Sequence, residues 1–198
     1  MKVNEIFYSL QGEGYHSGTP AVFIRFSGCN LHCPFCDTQH KNGIEMTEDE
    51  IVAAVVSYPA SMVVVTGGEP VLQLTSSLVD KLHSAGKYVA VETNGTRPLP
   101  ENIDWITLSP KDAFVGSQAA PVLDRADELK VVFDGVNAPQ DYSHIKITHR
   151  FLQPCDYESD NADYYDRNAE VIRSAVEYIK QHPHWRLSLQ IHKILEIR

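Results

Sequence analysis

The sequence predicts an α/β fold in which about six parallel strands form a sheet and helices lie outside it. Short aliphatic runs recur along the chain, and helical patterns separate several of them, as in α/β domains. The most apolar runs lack polar alternation, which is typical of strands buried on both faces of a parallel sheet. Six or seven strands are too few for a closed barrel of eight. We expect one domain over residues 1–198, because this length is usual for a single domain.

Each predicted element has a local signal. The strands are predicted over 21–26, 62–67, 88–93, 105–109, 129–133, 150–154 and 186–190. Helices are predicted over 47–58, 70–86 and 168–181. Thr47 and Glu50 have the spacing of a capping box at the first helix, and Gly86 suits the C′ position of the second. Residues 112–128 and 136–147 have no clear pattern, so no full helix is assigned there.

Composition restricts the partners. The chain has 17 basic and 26 acidic residues, a formal net charge of −9. Because an acidic surface repels phosphate backbones, nucleic acid is not expected as a partner. No apolar stretch approaches the roughly 20 residues of a membrane span, and the first residues lack the apolar core of a signal peptide. We therefore expect a cytoplasmic protein without a membrane partner.

Three of the four cysteines lie close together. Cys29, Cys33 and Cys36 form the pattern C-x3-C-x2-C. Three thiolates can bind three irons of a cubane cluster and leave the fourth iron open for a small molecule. The alternative is a zinc site, with Cys155 or His32 as the fourth ligand. A second C-x2-C pair, which would favour zinc, is absent from the sequence.

The cysteine motif resembles the signature of the radical S-adenosylmethionine superfamily, and Gly67-Gly68-Glu69-Pro70 resembles its GGEP segment. In that superfamily the open iron chelates the methionine part of S-adenosylmethionine, and reductive cleavage releases a 5′-deoxyadenosyl radical. The resemblance implies a [4Fe–4S] cluster on the three cysteines. It also implies cofactor contacts from Phe35, Cys36, Asp37, Gly67, Gly68, Glu69, Ser109, Pro110, Lys111, Gln153, Pro154, Cys155 and Asp156. For Lys111, a solvated surface lysine is the alternative.

Longer segments resemble the 7-carboxy-7-deazaguanine synthase family. They are EIFYSLQGEG (5–14), GTPAVFIRFSGCNL (18–31), CDT (36–38), TGGEPVLQL (66–74), VETNGT (91–96), LSPK (108–111) and WRLSLQIHK (185–193). This resemblance implies an incomplete TIM-like barrel. It also implies conversion of 6-carboxy-5,6,7,8-tetrahydropterin to 7-carboxy-7-deazaguanine in queuosine biosynthesis. The adenosyl radical would remove the hydrogen at C6, and the ring would contract with loss of ammonia.

The family resemblance also assigns substrate and metal residues. Substrate contacts are implied for Leu10, Gln11, Gly12, Glu13, Arg25, Thr66, Glu92, Gln190 and, through the terminal carboxylate, Arg198. Thr38 matches a Mg²⁺ ligand, and a hydroxyl oxygen suits this hard cation. A guanidinium suits the carboxylate of a pterin, and carboxylates suit its amide and amino edge. The implied partners are the pterin, a reductant such as flavodoxin or ferredoxin, and a second copy in a homodimer.

Two other functions fit parts of the sequence. A glycyl-radical activase would have the same cysteine motif but not the QGEG and QIHK segments. A zinc-stabilised binding module would explain the cysteines alone. Single side chains also have simpler interpretations: Arg25 could be a structural ion-pair residue, Glu92 a strand-end carboxylate, Thr38 a turn residue and His192 a core histidine.

Overall fold

The α/β prediction is confirmed by a computed structural model that describes residues 1–36, 38–156 and 162–198, with only the backbone of 162–166. One sheet contains nine strands: β1 (Lys2–Leu10), β2 (Pro20–Phe26), β3 (Ile44–Glu45), β4 (Met62–Gly67), β5 (Tyr88–Thr93), β6 (Trp105–Leu108), β7 (Arg125–Phe133), β8 (Lys146–Pro154) and β9 (Arg186–Leu187). The α-helices are α1 (Glu48–Val56), α2 (Ser76–Ser84), α3 (Asp112–Val115), α4 (Ala162–Gln181) and α5 (Ile191–Ile194).

The sheet is an open, incomplete barrel. Its order is β3-β1-β2-β4-β5-β6-β7-β8-β9, so β3 and β9 are its edges. All strands from β2 to β9 in this order pair in parallel, whereas β1 is antiparallel to both of its neighbours. The carboxyl ends of the parallel strands therefore meet at one end of the barrel, where α/β folds bind their ligands.

All seven predicted strands are present, and two strands were missed. β1 was missed because its sequence, KVNEIFYSL, mixes polar and apolar residues and resembles no buried run. β3 has only two residues, both exposed. The last predicted strand, 186–190, is shorter than expected, because only Arg186 and Leu187 pair with β8.

Two of the predicted helices are confirmed, and the third is divided. The capping box of Thr47 and Glu50 begins α1, and α4 contains the predicted helix 168–181. The prediction of one helix over 70–86 is wrong, because a 3-10 turn over 70–72 is separated from α2 at Gln73. The Gln73 side chain instead hydrogen-bonds the backbone of Lys2 and Ser27 at 2.6–3.2 Å.

The outer face of the sheet carries the main hydrophobic core. Alternate residues of β2 and β4, such as Ile24 and Val65, pack against α1 and α2 through Ile51 and Leu78, all of them fully buried. Burying one such side chain stabilises the fold by about 1.5–3 kcal/mol. In the described part of the chain, no helix is long and apolar enough to cross a membrane.

The inner face of the barrel changes in character along the strands. Near the amino ends of the parallel strands it is apolar, with a second cluster of Phe7, Ala21, Phe23, Met62, Val64 and Ala90. The Phe7 and Phe23 rings stack with centroids 4.9 Å apart. Towards the carboxyl ends the same strands present polar side chains, including Arg25, Thr66 and Glu92.

Candidate active site at the carboxyl ends of the strands

A cavity of about 820 Å³ opens at the carboxyl ends of the parallel strands. With two exceptions, every residue predicted to bind the cluster, cofactor, magnesium or substrate lines this cavity. Pro110 is buried and is not among its lining residues, and Asp37 lies outside the described residues. The structure thus brings the predicted site together, while the individual roles stay predictions.

The cysteine motif forms a loop after β2. Cys29 and Cys33 are half-buried and Cys36 is exposed at the same opening. The Cys33 carbonyl accepts from the Cys36 amide at 3.2 Å, and Phe35 packs edge-on against Phe114 of α3, with centroids 4.7 Å apart. Burial raises the pKa of the Cys29 and Cys33 thiols.

This donor set fits a cubane cluster better than a single ion. Among the residues described, no three His, Cys, Asp or Glu side chains are gathered as closely as one metal ion requires. A cubane is wider, because each thiolate binds a different iron. The three thiols line one cavity, so their arrangement agrees with the predicted cluster site.

The segment from Gly67 to Glu69 lies directly against the cysteine loop. A Cβ at Gly68 would lie 2.2 Å from the Gly28 oxygen, and Gly67 has a φ of +143°, so glycine is required at both positions. Glu69 is buried and accepts hydrogen bonds from Thr93 Oγ1 and Asn94 N, both at 2.7 Å. Burial raises the pKa of Glu69, so these donors are needed to hold its carboxylate.

Lys111 brings a positive charge to the cavity wall. Its Nζ donates to the Ser109 carbonyl and hydroxyl oxygens, each at 2.6 Å. Burial lowers the pKa of Lys111, although the neighbouring thiol of Cys33 opposes this effect. The amine thus faces the cavity, and the surface-lysine alternative is wrong.

Glutamates and amides predicted to bind the substrate form one hydrogen-bonded network. Glu92 accepts from Gln11 Nε2 at 3.0 Å and from Thr66 Oγ1 at 3.3 Å. Glu13 accepts from Gln190 Nε2 at 2.9 Å. Gln11 and Glu13 come from the segment after β1, Thr66 from β4, Glu92 from β5 and Gln190 from the segment after β9, so the network depends on the complete fold.

Lys130 of β7 joins this network and was missed by the sequence analysis. Its Nζ contacts Glu13 Oε2 and lies 3.4 Å from Glu92 Oε1. The run LKVVF was interpreted only as a buried strand. Its lysine lies on the face opposite Leu129 and Val131, and this inward charge was the sequence feature that could have revealed it. A charged residue that points inward from a buried strand indicates a site, because burial requires a partner.

Arg25 is ion-paired across the β1–β2 ladder. Its Nε donates to Glu5 Oε1 at 2.9 Å, and Glu5 and Arg25 are register partners. The Arg198 guanidinium contacts the second Glu5 oxygen, and Ser9 Oγ donates to the Arg198 main-chain oxygen at 2.5 Å. Glu5 was not identified from the sequence, since β1 was not predicted.

The segment after β9 bridges the open side of the barrel. The Ile191 amide donates to the Gly12 carbonyl, and Ser188 Oγ accepts from the Gly14 amide, both at 3.0 Å. Ser188 Oγ also donates to Gln153 Oε1 at 2.9 Å. His192 packs so closely on Gly12 that a Cβ there would lie 2.2 Å from His192 Nδ1. His192 therefore lines the cavity and is not a core histidine.

Asp156, at the end of β8, is tied to both helices that follow. It accepts from Asn168 of α4 at 2.6 Å and forms an ion pair with Lys193 of α5 at 2.8 Å. Cys155 is buried beside it, and its amide donates to the Phe133 carbonyl at 2.8 Å. This strand end is therefore a fixed wall of the cavity.

Comparison with known proteins identifies relatives of the whole chain. A family model for the Radical SAM superfamily matches residues 23–118. The 7-carboxy-7-deazaguanine synthase of Bacteroides thetaiotaomicron is 54% identical over 100% of this chain and 98% of its own. The synthase of Burkholderia multivorans is 42% identical over 98% of each chain. The crystal structure of QueE from Escherichia coli is 29% identical, with a TM-score of 0.69 over 95% of this chain and 92% of that one.

These relationships exclude the activase and zinc-module alternatives. They extend over both the cysteine loop and the segments that line the rest of the cavity. The chain therefore belongs to the 7-carboxy-7-deazaguanine synthase family, a group of lyases within the radical S-adenosylmethionine superfamily.

Proposed function

We propose that this chain converts 6-carboxy-5,6,7,8-tetrahydropterin to 7-carboxy-7-deazaguanine. The observation that supports this proposal is one cavity lined both by the three cysteines and by groups complementary to a pterin. Arg25 offers a guanidinium for the substrate carboxylate, and Glu13 and Glu92 offer acceptors for the ring N–H groups. The names of the relatives, which the chain matches over 98% of their length, agree with this product.

The cofactor side of the proposal assigns the cluster to Cys29, Cys33 and Cys36. Together the cluster and S-adenosylmethionine supply the 5′-deoxyadenosyl radical that removes the hydrogen at C6 of the pterin. Gly67 and Gly68 leave room for the cofactor to approach the backbone beside the cysteine loop. Lys111 holds a positive charge beside Ser109, where it favours the methionine carboxylate.

On the substrate side, each group has a physical task. Glu92 is held by Gln11 and Thr66, so its carboxylate has a fixed direction before the pterin arrives. Arg25 is already paired with Glu5 through its Nε, and this ion pair orients the guanidinium before the pterin binds. Leu10 and Gly12 contribute backbone beside the pterin ring. The Cζ atom of Arg198 lies 5.1 Å from the centroid of the Phe7 ring, where both residues line the cavity.

We further propose that Thr38 binds Mg²⁺ together with substrate oxygens and water, since a hydroxyl is a suitable ligand for this ion. Thr38 directly follows the cysteine loop and lines the cavity. A flavodoxin or ferredoxin would provide the electron, in the cytoplasm, where thiols stay reduced. A homodimer belongs to the same proposal by family resemblance.

Anaerobic turnover tests the proposed function. The reconstituted chain is incubated with 6-carboxytetrahydropterin, dithionite, S-adenosylmethionine and Mg²⁺, and mass spectrometry measures 7-carboxy-7-deazaguanine. We expect product from the wild type and none from Cys33→Ala. Deoxyadenosine released without any change of the pterin would refute the substrate assignment and leave the radical chemistry in place.

A further inference from the structure

One ammonium group lies between the carboxylates of the substrate network. The Lys130 side chain is only 6% exposed, and it contacts Glu13, which is 14% exposed. Glu92 lies 3.4 Å away and is 25% exposed. The mechanism described above uses Glu13 and Glu92 but leaves Lys130 without a task.

β7 also carries Glu128, a buried carboxylate without a direct contact to an ammonium group among the described residues, and its pKa shows the effect of burial. Burial raises the pKa of Glu128, two residues before Lys130, to about 7, although Lys130 partly opposes this effect. The hydrogen bond to Glu128 comes from the Tyr15 amide at 3.0 Å. Burial also acts on Glu13, but the charge and hydrogen bond of Lys130, together with the hydrogen bond from Gln190 and the charge of His192, outweigh it and lower the pKa of Glu13 to about 2. The direct contact with Lys130 is therefore the main difference between the ionised Glu13 and Glu128.

Lys130 itself stays charged in this position. Burial alone would lower its pKa, but the surrounding glutamates raise it above its usual range. The charged groups that face the network from the neighbouring elements are Glu13, Glu92, Glu128, Lys111 and His192. Lys130 lies among these groups and contacts both Glu13 and Glu92.

We propose that Lys130 is a positioning residue that keeps Glu13 ionised and holds Glu13 and Glu92 directed at the N–H edge of the pterin ring. The inference rests on the proposed function. An ionised carboxylate accepts from adjacent amide and amino N–H groups, whereas a protonated one becomes a donor on one oxygen and repels them. Substrate binding then requires the ammonium, although Lys130 need not touch the substrate.

The test compares Lys130→Met, which removes the charge at similar length, with Lys130→Arg, which keeps it. Binding of 6-carboxytetrahydropterin is titrated from pH 6 to 9, and deoxyadenosine release without pterin is measured beside it. For Lys130→Met we expect at least roughly thirtyfold weaker binding at pH 6.5, because an uncompensated carboxylate takes up a proton. Its affinity should recover as the pH rises, whereas the wild type and Lys130→Arg should have flat profiles over this range.

A matched control is Lys87→Met. Lys87 is a half-buried lysine away from the cavity, and its Nζ donates to the carbonyls of Tyr58 and Ala60 at the amino ends of the strands. This variant should bind the pterin as the wild type does. Deoxyadenosine release without pterin should be unchanged in Lys87→Met, and in the two Lys130 variants it separates a loss of pterin binding from a loss of the cofactor reaction.

The outcomes separate this inference from the proposed function. If the wild type does not bind the pterin, the proposed function fails and the role of Lys130 fails with it. If the wild type binds but Lys130→Met has a flat pH profile, the inference alone is overturned. If Lys130→Met does not fold, the double variant Lys130→Met with Glu13→Gln removes the buried pair as a unit, which proteins often tolerate. This double variant should bind the pterin less tightly than Glu13→Gln alone, because Glu92 loses the ammonium beside it, and equal affinity of the two variants overturns the inference.

Discussion

The inner face of the barrel has two halves with different tasks, although the same strands form both. On β2, Phe23 and Arg25 are two residues apart on one face; both line the cavity, Phe23 as apolar wall stacked on Phe7 and Arg25 as a charged group. On β4, Met62 and Val64 are buried and Thr66 reaches Glu92. Side chains two residues apart lie on the same face of a strand, about 7 Å from each other along it. One such step is therefore enough to pass from an apolar side chain to a polar one.

This difference indicates how the fold tolerates a polar cavity. The lower half, near the amino ends of the strands, is filled by side chains, so stability comes from there and from the outer core. The upper half contains charges that are costly to bury and that must be paired. Substitutions in the two halves should therefore affect different measurements, and the following experiments test that separation.

The largest effect is expected at the cysteine loop. Cys33→Ala should abolish deoxyadenosine production, because two thiolates hold an open cluster poorly. The melting temperature of the apoprotein should hardly change, since Cys33 is half-buried in a loop. Cys155→Ala is the control and should keep the absorbance near 400 nm. Normal activity in Cys33→Ala would disprove the cluster assignment.

In the upper half, Arg25→Ala should weaken pterin binding by about 2–5 kcal/mol, or roughly 30- to several-thousand-fold. Glu5 keeps Arg198 as a partner, so the protein should stay folded. Arg25→Lys should restore binding only in part, because an ammonium cannot present two parallel N–H groups. Calorimetric titration measures the affinity. If the pterin bound normally, Arg25 would be a structural ion-pair residue of β2.

In the lower half, Met62→Ala should lower the free energy of unfolding by about 3 kcal/mol through the cavity it leaves. Met62 is 5% exposed and packs in the inner apolar cluster. The affinity for the pterin should stay near the wild-type value. Thr66→Ala, on the same strand, should show the reverse pattern. Equal losses of stability and affinity in both variants would contradict the division into two halves.

The raised pKa of Glu128 predicts that the stability of the fold depends on pH. Its pKa is raised from 4.5 to about 7 by burial, so the folded state binds its proton more tightly than the unfolded state does. Stability from this group is therefore present below about pH 4.5 and is lost as the pH rises to about 7. Glu128→Gln keeps an acceptor for the Tyr15 amide and should be more stable at pH 8 by up to about 3 kcal/mol.

Denaturation at pH 4 and pH 8 measures this effect. The variant and the wild type should differ little at pH 4, where Glu128 is protonated in both states. The exposed Glu101→Gln is the control and should have no such pH dependence. A gain of stability that was equal at both pH values would exclude titration of Glu128 as its cause.

The smallest effect is expected for Thr38→Ala. The hydroxyl is one ligand among several, so the Mg²⁺ concentration for half-maximal activity should rise by roughly tenfold, equivalent to about 1.4 kcal/mol. The affinity for S-adenosylmethionine should be unchanged. Thr38→Ser keeps a hydroxyl and should restore the Mg²⁺ response. An unaltered response in Thr38→Ala would make Thr38 a turn residue.

The sequence predicted the fold wherever burial was symmetric. The runs predicted as strands within β2, β4, β5, β6, β7 and β8 consist mostly of buried apolar residues, so they could be identified without knowledge of tertiary contacts. β1 could not be identified, because its residues alternate between the core, as with Val3, and the cavity rim, as with Glu5. The break at Gln73 was also hidden, since the hydrogen bonds that cause it reach Lys2 and Ser27, distant in sequence.

The site was predicted through motifs, and residues without a role in those motifs were missed. Lys130 belongs to no quoted segment, and Glu5 begins the quoted segment 5–14 but was given no role there, yet each compensates a charge in the cavity. Such residues are fixed by the position of their partners in space. A single sequence gives only an indirect signal for them, namely a charge on a strand that is otherwise buried.

The bridge made by residues 188–198 has a consequence for the order in which the pocket is assembled during synthesis. The cysteine loop and β4 leave the ribosome early, so the cofactor side can form while the barrel is still open. The contacts of Ser188, Gln190 and Ile191 with residues 12–14 can form only when the last helix has emerged. Until then the Glu13–Lys130 pair lacks the hydrogen bond from Gln190, and the substrate side of the pocket is the last part to be completed.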